Sequence, residues 1–112
     1  MAEERPLDGL AELRQKIDAL DEQLVRLLNV RVACAVEVGR LKHEMGLAVY
    51  QPDREAQVLA AVRKAATELA GPLTAEAVVR IFERIIDEAR RLERIAEGHL
   101  SDAESRERKT PE

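Results

Sequence analysis

The sequence predicts an all-α chain of three helices, the first of them unusually long. Three observations carry that expectation. Apolar residues recur every three or four positions from Leu10 to Met45 with no proline between them. Helix-bounding punctuation falls at Gly46, Pro52 and Gly71-Pro72. No stretch alternates polar and apolar residues in the manner of a half-buried strand.

The first helix is expected from about Leu7 to about Met45. Its stripe reads Leu10, Leu13, Ile17, Leu20, Leu24, Leu27, then Cys34, Val38, Leu41 and Met45, a heptad spacing in which position 31 is Arg31. Nearly 40 residues at ~1.5 Å each give a rod of ~55 Å. A compact domain of this size has a radius of gyration of only ~13 Å, so the helix must bend or pair with another chain. Gly46 suits its end, because glycine takes left-handed geometry at little cost.

After a connection through Leu47 to Gln51, Pro52 fits the first position of a second helix running to about Leu69. Its apolar face is Val58, Leu59, Val62, Ala65, Ala66 and Leu69. Gly71-Pro72 breaks it. Thr74 is a good N-cap for the third helix, and Glu76 in the first turn meets the positive end of the helix dipole. That helix carries Val78, Ile81, Phe82, Ile85, Ile86, Ala89, Leu92 and Ala96, and Gly98 is expected to end it. The domain organisation is then an N-terminal extension over 1–6, one helical domain over 7–100 and a polar tail over 101–112, expected to be disordered.

Composition narrows the function. The chain has 112 residues, 46% of them hydrophobic, with no Trp, one Phe and one Tyr. An aliphatic core in a domain this small buries a modest share of its surface, which favours self-association. The net charge of −4 argues against nucleic acid, whose phosphates need a basic face. The lone Cys34 excludes an internal disulfide and a cysteine metal cluster, and is expected to be a buried structural thiol. With no run of ~18 apolar residues and no apolar signal core, the expected location is the cytoplasm.

The informative residues are charges placed where helical periodicity asks for apolar side chains. Arg31 sits in the heptad seam. Lys42 lies eleven residues on, about three turns, on nearly the same face. Arg14 flanks Leu13 and Ile17, Arg54 and Glu55 occupy the first turn of helix two, and Glu93 follows Ala89 by four residues. A seam arginine needs a carboxylate, such as Glu55 or Glu37, or an anionic ligand. Several cations converging on one apolar interior favour the ligand. Arg14 and Arg31 are ~25 Å apart on a straight helix, so one small anion reaches both only if two antiparallel chains share each site.

These residues resemble a known pattern. Leu-Arg-Gln-Lys-Ile-Asp-Ala-Leu-Asp-Glu-Gln-Leu-Val-Arg-Leu-Leu (13–28), Ala-Val-Glu-Val-Gly-Arg-Leu-Lys (35–42) and Val-Tyr-Gln-Pro-Asp-Arg-Glu (49–55) are similar to the AroQ-type, all-helical chorismate mutases. Ile81-Phe82 and Ile85-Ile86 continue the likeness, which covers about residues 7–97. The resemblance implies an intertwined homodimer that rearranges chorismate to prephenate with neither cofactor nor metal. It implies that Arg14 of one chain and Arg31 of the other each grip a substrate carboxylate, a role suited to the bidentate guanidinium. Lys42 would contact a carboxylate and the ether oxygen of the breaking bond, with Glu93 facing that oxygen from the other side. Arg54 would line the site, Glu55 would accept a hydrogen bond from the ring hydroxyl, and Gln51 and Ala89 fall at two further pocket positions.

Three positions depart from the commonest family forms: Glu93 where Gln is frequent, Gln51 where Asp is frequent, and Ala89 where Ser occurs. Glu93 donates a hydrogen bond only when protonated, so activity should fall as rising pH deprotonates it. Two other readings stay open. An isochorismate-pyruvate lyase on the same fold needs the same cations, but Glu55 favours the mutase. A non-catalytic helical dimerisation or regulatory module would not need Arg14, Arg31, Lys42, Arg54 and Glu55 together. Docking to a shikimate-pathway enzyme is compatible with activity. Tyr50 and His43 are expected to be packing or surface residues.

Overall fold

The computed structural model describes residues 6–48 and 51–108, which form α1 (Pro6–Glu44), α2 (Pro52–Leu69) and α3 (Ala75–Arg108), with no strand among the described residues. Tyr50 and the extension before Pro6 lie outside them. The chain divides into two units, Met1–Arg31 and Val32–Glu112, and the division falls inside α1.

The described part of the first unit is helical from Pro6 through Arg31. Its heptad stripe is not buried: Leu10, Leu13, Ile17, Leu20, Leu24 and Leu27 are between 43% and 65% exposed. Among its polar residues, Arg26 and Glu22 form an ion pair at 2.8 Å, one turn apart on the helix surface.

The second unit begins with the last turns of α1. Here the packed face is not the heptad series. Val32, Ala35, Val36, Gly39, Lys42 and His43 are half-buried, while Cys34, Val38, Leu41 and Met45 are exposed. Cys34 is therefore an exposed thiol and not the buried one expected. It follows the stripe of Leu24 and Leu27, which no described residue buries. Arg40 bridges Glu37 and Glu44 along α1, and its hydrogen bond to Glu37 (Nε to Oε2, 3.0 Å) holds that carboxyl below the usual range.

Gly46 ends α1 as expected, at φ +70°. Its N–H donates to the His43 carbonyl at 3.1 Å, and the Leu47 N–H reaches back to the Lys42 carbonyl at 2.8 Å. This pair of crossed bonds is the Schellman closure of a helix C-terminus. Lys42 and His43 thus supply the two carbonyls that finish the helix.

α2 begins at Pro52, with Gln51 in the N-cap position but making no side-chain cap. Its half-buried face is Glu55, Val58, Leu59, Val62 and Ala66; Leu69, expected on that face, is 82% exposed. The left-handed residue ending α2 is Ala70 (φ 43°), not Gly71. Pro72 restricts the residue before it to extended geometry, so the reversal falls one position earlier. Thr74 caps α3 through its Oγ1, which accepts from the Ala77 N–H at 3.1 Å.

α2 and α3 pack antiparallel, because Arg63 pairs with Glu76 at 2.8 Å and Glu55 pairs with Arg90. The inward face of α3 is Val78, Val79, Phe82, Ile85, Ile86, Ala89, Glu93 and Ala96, while Ile81 and Leu92 are exposed. α3 does not end at Gly98. It continues to Arg108, so residues 101–108 are helix rather than the disordered tail expected, and 109–112 lie outside the described residues. A glycine inside a helix costs only ~1 kcal/mol against alanine. The good helix formers Ala103, Glu104 and Arg106 beyond it, and a side-chain bond from Glu104 to α1, outweigh that cost.

Candidate active site

The region where α1 ends, α2 begins and α3 passes midway brings several expected site residues together. Glu93 meets α1 at Gly39: its Cγ lies 3.6 Å from where a Cβ on Gly39 would stand. Lys42 is three residues further along α1, hence one turn on and on the same face. Ala89 is one turn before Glu93 and is the most enclosed described residue, at 4% exposed. Glu55, in the first turn of α2, reaches Arg90 on the neighbouring face of that same turn of α3. Lys42 thus lies one turn along α1 from the point where Glu93 meets it, and Glu55 pairs with the residue next to Ala89 on α3.

Lys42 is half-buried and has no carboxylate partner among the described residues. An ammonium in that state is available to an incoming anion. Arg54, beside Glu55, is exposed and equally without one among the described residues. Gln51 is exposed, and its backbone carbonyl accepts the Glu55 N–H at 3.2 Å, closing the first turn that aims Glu55.

Arg14 and Arg31 belong to the first unit, 17 residues apart on one helix. Arg14 is exposed and Arg31 half-buried. Of the carboxylates considered for Arg31 in the sequence, Glu37 pairs with Arg40 and Glu55 with Arg90.

Arg90 is the residue that the sequence reading missed. It is half-buried, pairs with Glu55, and also approaches Asp87 at 4.0 Å. Its signal was faint: beside Arg91 it reads as a solvated charge, although it lies four residues after Ile86 on the inward flank. Its position gives the Glu55 carboxylate a fixed partner on α3. No group of acidic, histidine or cysteine side chains able to hold a metal occurs among the described residues.

Comparison with known proteins bears on this arrangement. The family profile described as chorismate mutase type II matches residues 13–94. The chain is 34% identical over 89 residues to a bifunctional chorismate mutase/prephenate dehydratase from Aquifex aeolicus, covering 79% of this chain and 25% of that protein. It is 27% identical to a chorismate mutase from Methanocaldococcus jannaschii, covering 79% of this chain and 87% of that one. The solved form II chorismate mutase of Thermus thermophilus superposes with a TM-score of 0.71 at 32% identity, covering 77% of this chain and 94% of that structure. The chain spans about a quarter or less of the length of several of the relatives it matches.

Proposed function

The chain belongs to the type II chorismate mutase family, and from that premise we propose that it rearranges chorismate to prephenate, in phenylalanine and tyrosine biosynthesis. What supports the reading is that Glu93 lies against Gly39, one turn from Lys42, and Glu55 pairs with Arg90 less than a turn before Glu93 on α3, with the Lys42 ammonium uncommitted among the described residues.

The reaction is intramolecular: the ether C–O bond breaks while a C–C bond forms at the other end of the enolpyruvyl arm. No nucleophile, metal or cofactor takes part. The protein must fold the arm over the ring and stabilise the negative charge that grows on the ether oxygen. In this reading Arg14 of a partner chain and Arg31 hold the two carboxylates. Lys42 and protonated Glu93 bracket the ether oxygen, Glu55 accepts from the ring hydroxyl, and Arg54, Gln51 and Ala89 line the pocket.

A homodimer with shared sites is part of the proposal. The uncovered stripe from Leu10 to Leu27 supports it, since so long an apolar seam is stable in water only when a second surface covers it. A cytoplasmic location belongs to the same reading; no described helix is long and apolar enough to cross a membrane. Relatives named bifunctional chorismate mutase/prephenate dehydratase support association with a second enzyme of the same biosynthesis.

The test is product identification from chorismate, with Arg31→Ala in parallel. Prephenate should form with the wild type, and the mutant should lose at least about a hundredfold in kcat/KM, the scale of one removed charge-stabilising donor. No turnover of chorismate, with pyruvate released from isochorismate, would assign the lyase instead; inertness on both would leave a binding module.

A further inference from the structure

We propose that the C-terminal stretch of α3, beyond the family match that ends at residue 94, is a strap that positions Lys42, and that His43 and Glu104 are its clasp. The inference rests on the mutase reading of Lys42 and extends it to residues outside the matched segment.

The observation is one bond across 61 residues: His43 Nε2 and Glu104 Oε1 lie 2.9 Å apart. A carboxylate only accepts, so Nε2 carries the hydrogen and donates. The His43 side chain is 20% exposed and Glu104 is 53% exposed, so the imidazole is held in the seam between helices while the carboxylate reaches in from the rim.

The location gives the bond its consequence. Helix ends fray, and the last turn of a helix is among the least stable parts of a fold. α1 ends at Glu44, so Lys42 and His43 both sit in that turn. A lysine that must meet one ether oxygen needs its backbone fixed to within about half an ångström. The Schellman bonds fix the turn along the chain, through the Lys42 and His43 carbonyls. They do not tie it sideways to anything. The His43–Glu104 bond does, and with Glu93 lying against Gly39 it gives α3 two points of contact along this segment of α1. The continuation of α3 through Gly98 is what carries Glu104 to its partner.

The experiment measures chorismate kinetics for wild type, His43→Ala, Glu104→Ala, the double variant and Glu104→Gln, with amide hydrogen exchange across residues 41–47. The strap predicts that each alanine variant loses about five- to tenfold in kcat, the scale of one hydrogen bond, with KM nearly unchanged. The double variant should lose no more than either single one. Glu104→Gln, whose amide oxygen still accepts, should recover most of the loss, and exchange at 41–47 should speed up in Glu104→Ala. Unchanged kcat in Glu104→Ala, or a Gln variant as impaired as the Ala one, overturns the proposal while the mutase reading stands. A wild type inert on chorismate overturns the mutase reading and the kinetic role together. Exchange rates at 41–47 unaffected by Glu104→Ala remove the clasp itself.

Discussion

The two parts of α1 present different faces of one continuous helix. Through Arg31 the heptad residues Leu10 to Leu27 form the apolar face, and all are exposed. From Val32 onward the same heptad continues as Cys34, Val38, Leu41 and Met45, also exposed, and a second face of Val32, Ala35, Val36, Gly39 and His43 takes the packing. The difference teaches that a stripe's periodicity makes the helix, whereas the partner decides which stripe is covered. The second face has a partner within its own unit, in α3. The first is left uncovered, and it is the better coiled-coil seam of the two.

The largest expected effect breaks the first face. Leu20→Glu puts a charge into the middle of the stripe, where pairing with a second copy would have to desolvate it. The proposed dimer should become a monomer by sedimentation, and chorismate turnover should fall by at least about a hundredfold, because in the proposed shared site a substrate carboxylate loses the guanidinium of the second chain. Circular dichroism should remain helical, since the 32–112 unit keeps its own packing. A Leu20→Glu protein that stays dimeric and active would show that this stripe is not the interface.

A second variant addresses the packed face of the second unit. Glu93 stands against Gly39, one turn from Lys42, and as a carboxylate it cannot donate to an ether oxygen. The wild-type kcat/KM should decline as pH rises through the titration of Glu93. Glu93→Gln, a permanent donor, should hold its rate on the alkaline side, the two differing there by up to about a hundredfold. Parallel profiles would remove the proton from Glu93's role.

How far the sequence reached follows the same division. Elements set by neighbours in the chain were legible: Pro52 opened α2, Thr74 capped α3, and Gly46 closed α1, each through backbone geometry that a few residues determine. Glu93, which lies against Gly39, was legible as a charge that breaks apolar periodicity. What was not legible depends on distant partners. Glu104 finds His43 across 61 residues, so a polar run that reads as tail becomes helix past Gly98. Arg90 looks solvated until Glu55 is brought beside it. Cys34 follows a seam that no described residue buries, so its apolar register alone could not hide it.

A gentler change separates backbone fixation from packing. Gly46 holds φ +70° with no atom within 4 Å of an added Cβ, so Gly46→Ala meets only conformational cost. That cost is about 1–2 kcal/mol for an L-residue in the left-handed region, or roughly 4–8 °C in Tm per kcal/mol for a domain near this size. The thermal loss should come with a several-fold lower kcat, because the Lys42 carbonyl is one end of the closure that Gly46 makes. A large fall in Tm with kcat untouched would mean that the last turn of α1 does not govern Lys42.

The smallest expected effect lies on the brace between α2 and α3, and so measures what a surface contact contributes without touching the proposed site residues. The Glu76 carboxyl is held below its ordinary range, first by a hydrogen bond from its own backbone N–H at the start of α3 and second by Arg63 at 2.8 Å. A carboxylate whose folded value is depressed stabilises the fold above its unfolded value, about 4.3, and loses that contribution as pH falls through the folded one. Glu76→Gln should therefore lower Tm slightly at neutral pH and match the wild type in acid below both values. Arg63→Ala removes only the second cause and should cost less than Glu76→Gln. Because the pair is solvent-exposed, added salt should shrink the difference. Equal losses from the two variants would make Arg63, rather than the helix start, the main support of the Glu76 charge, and chorismate turnover should be the same in both.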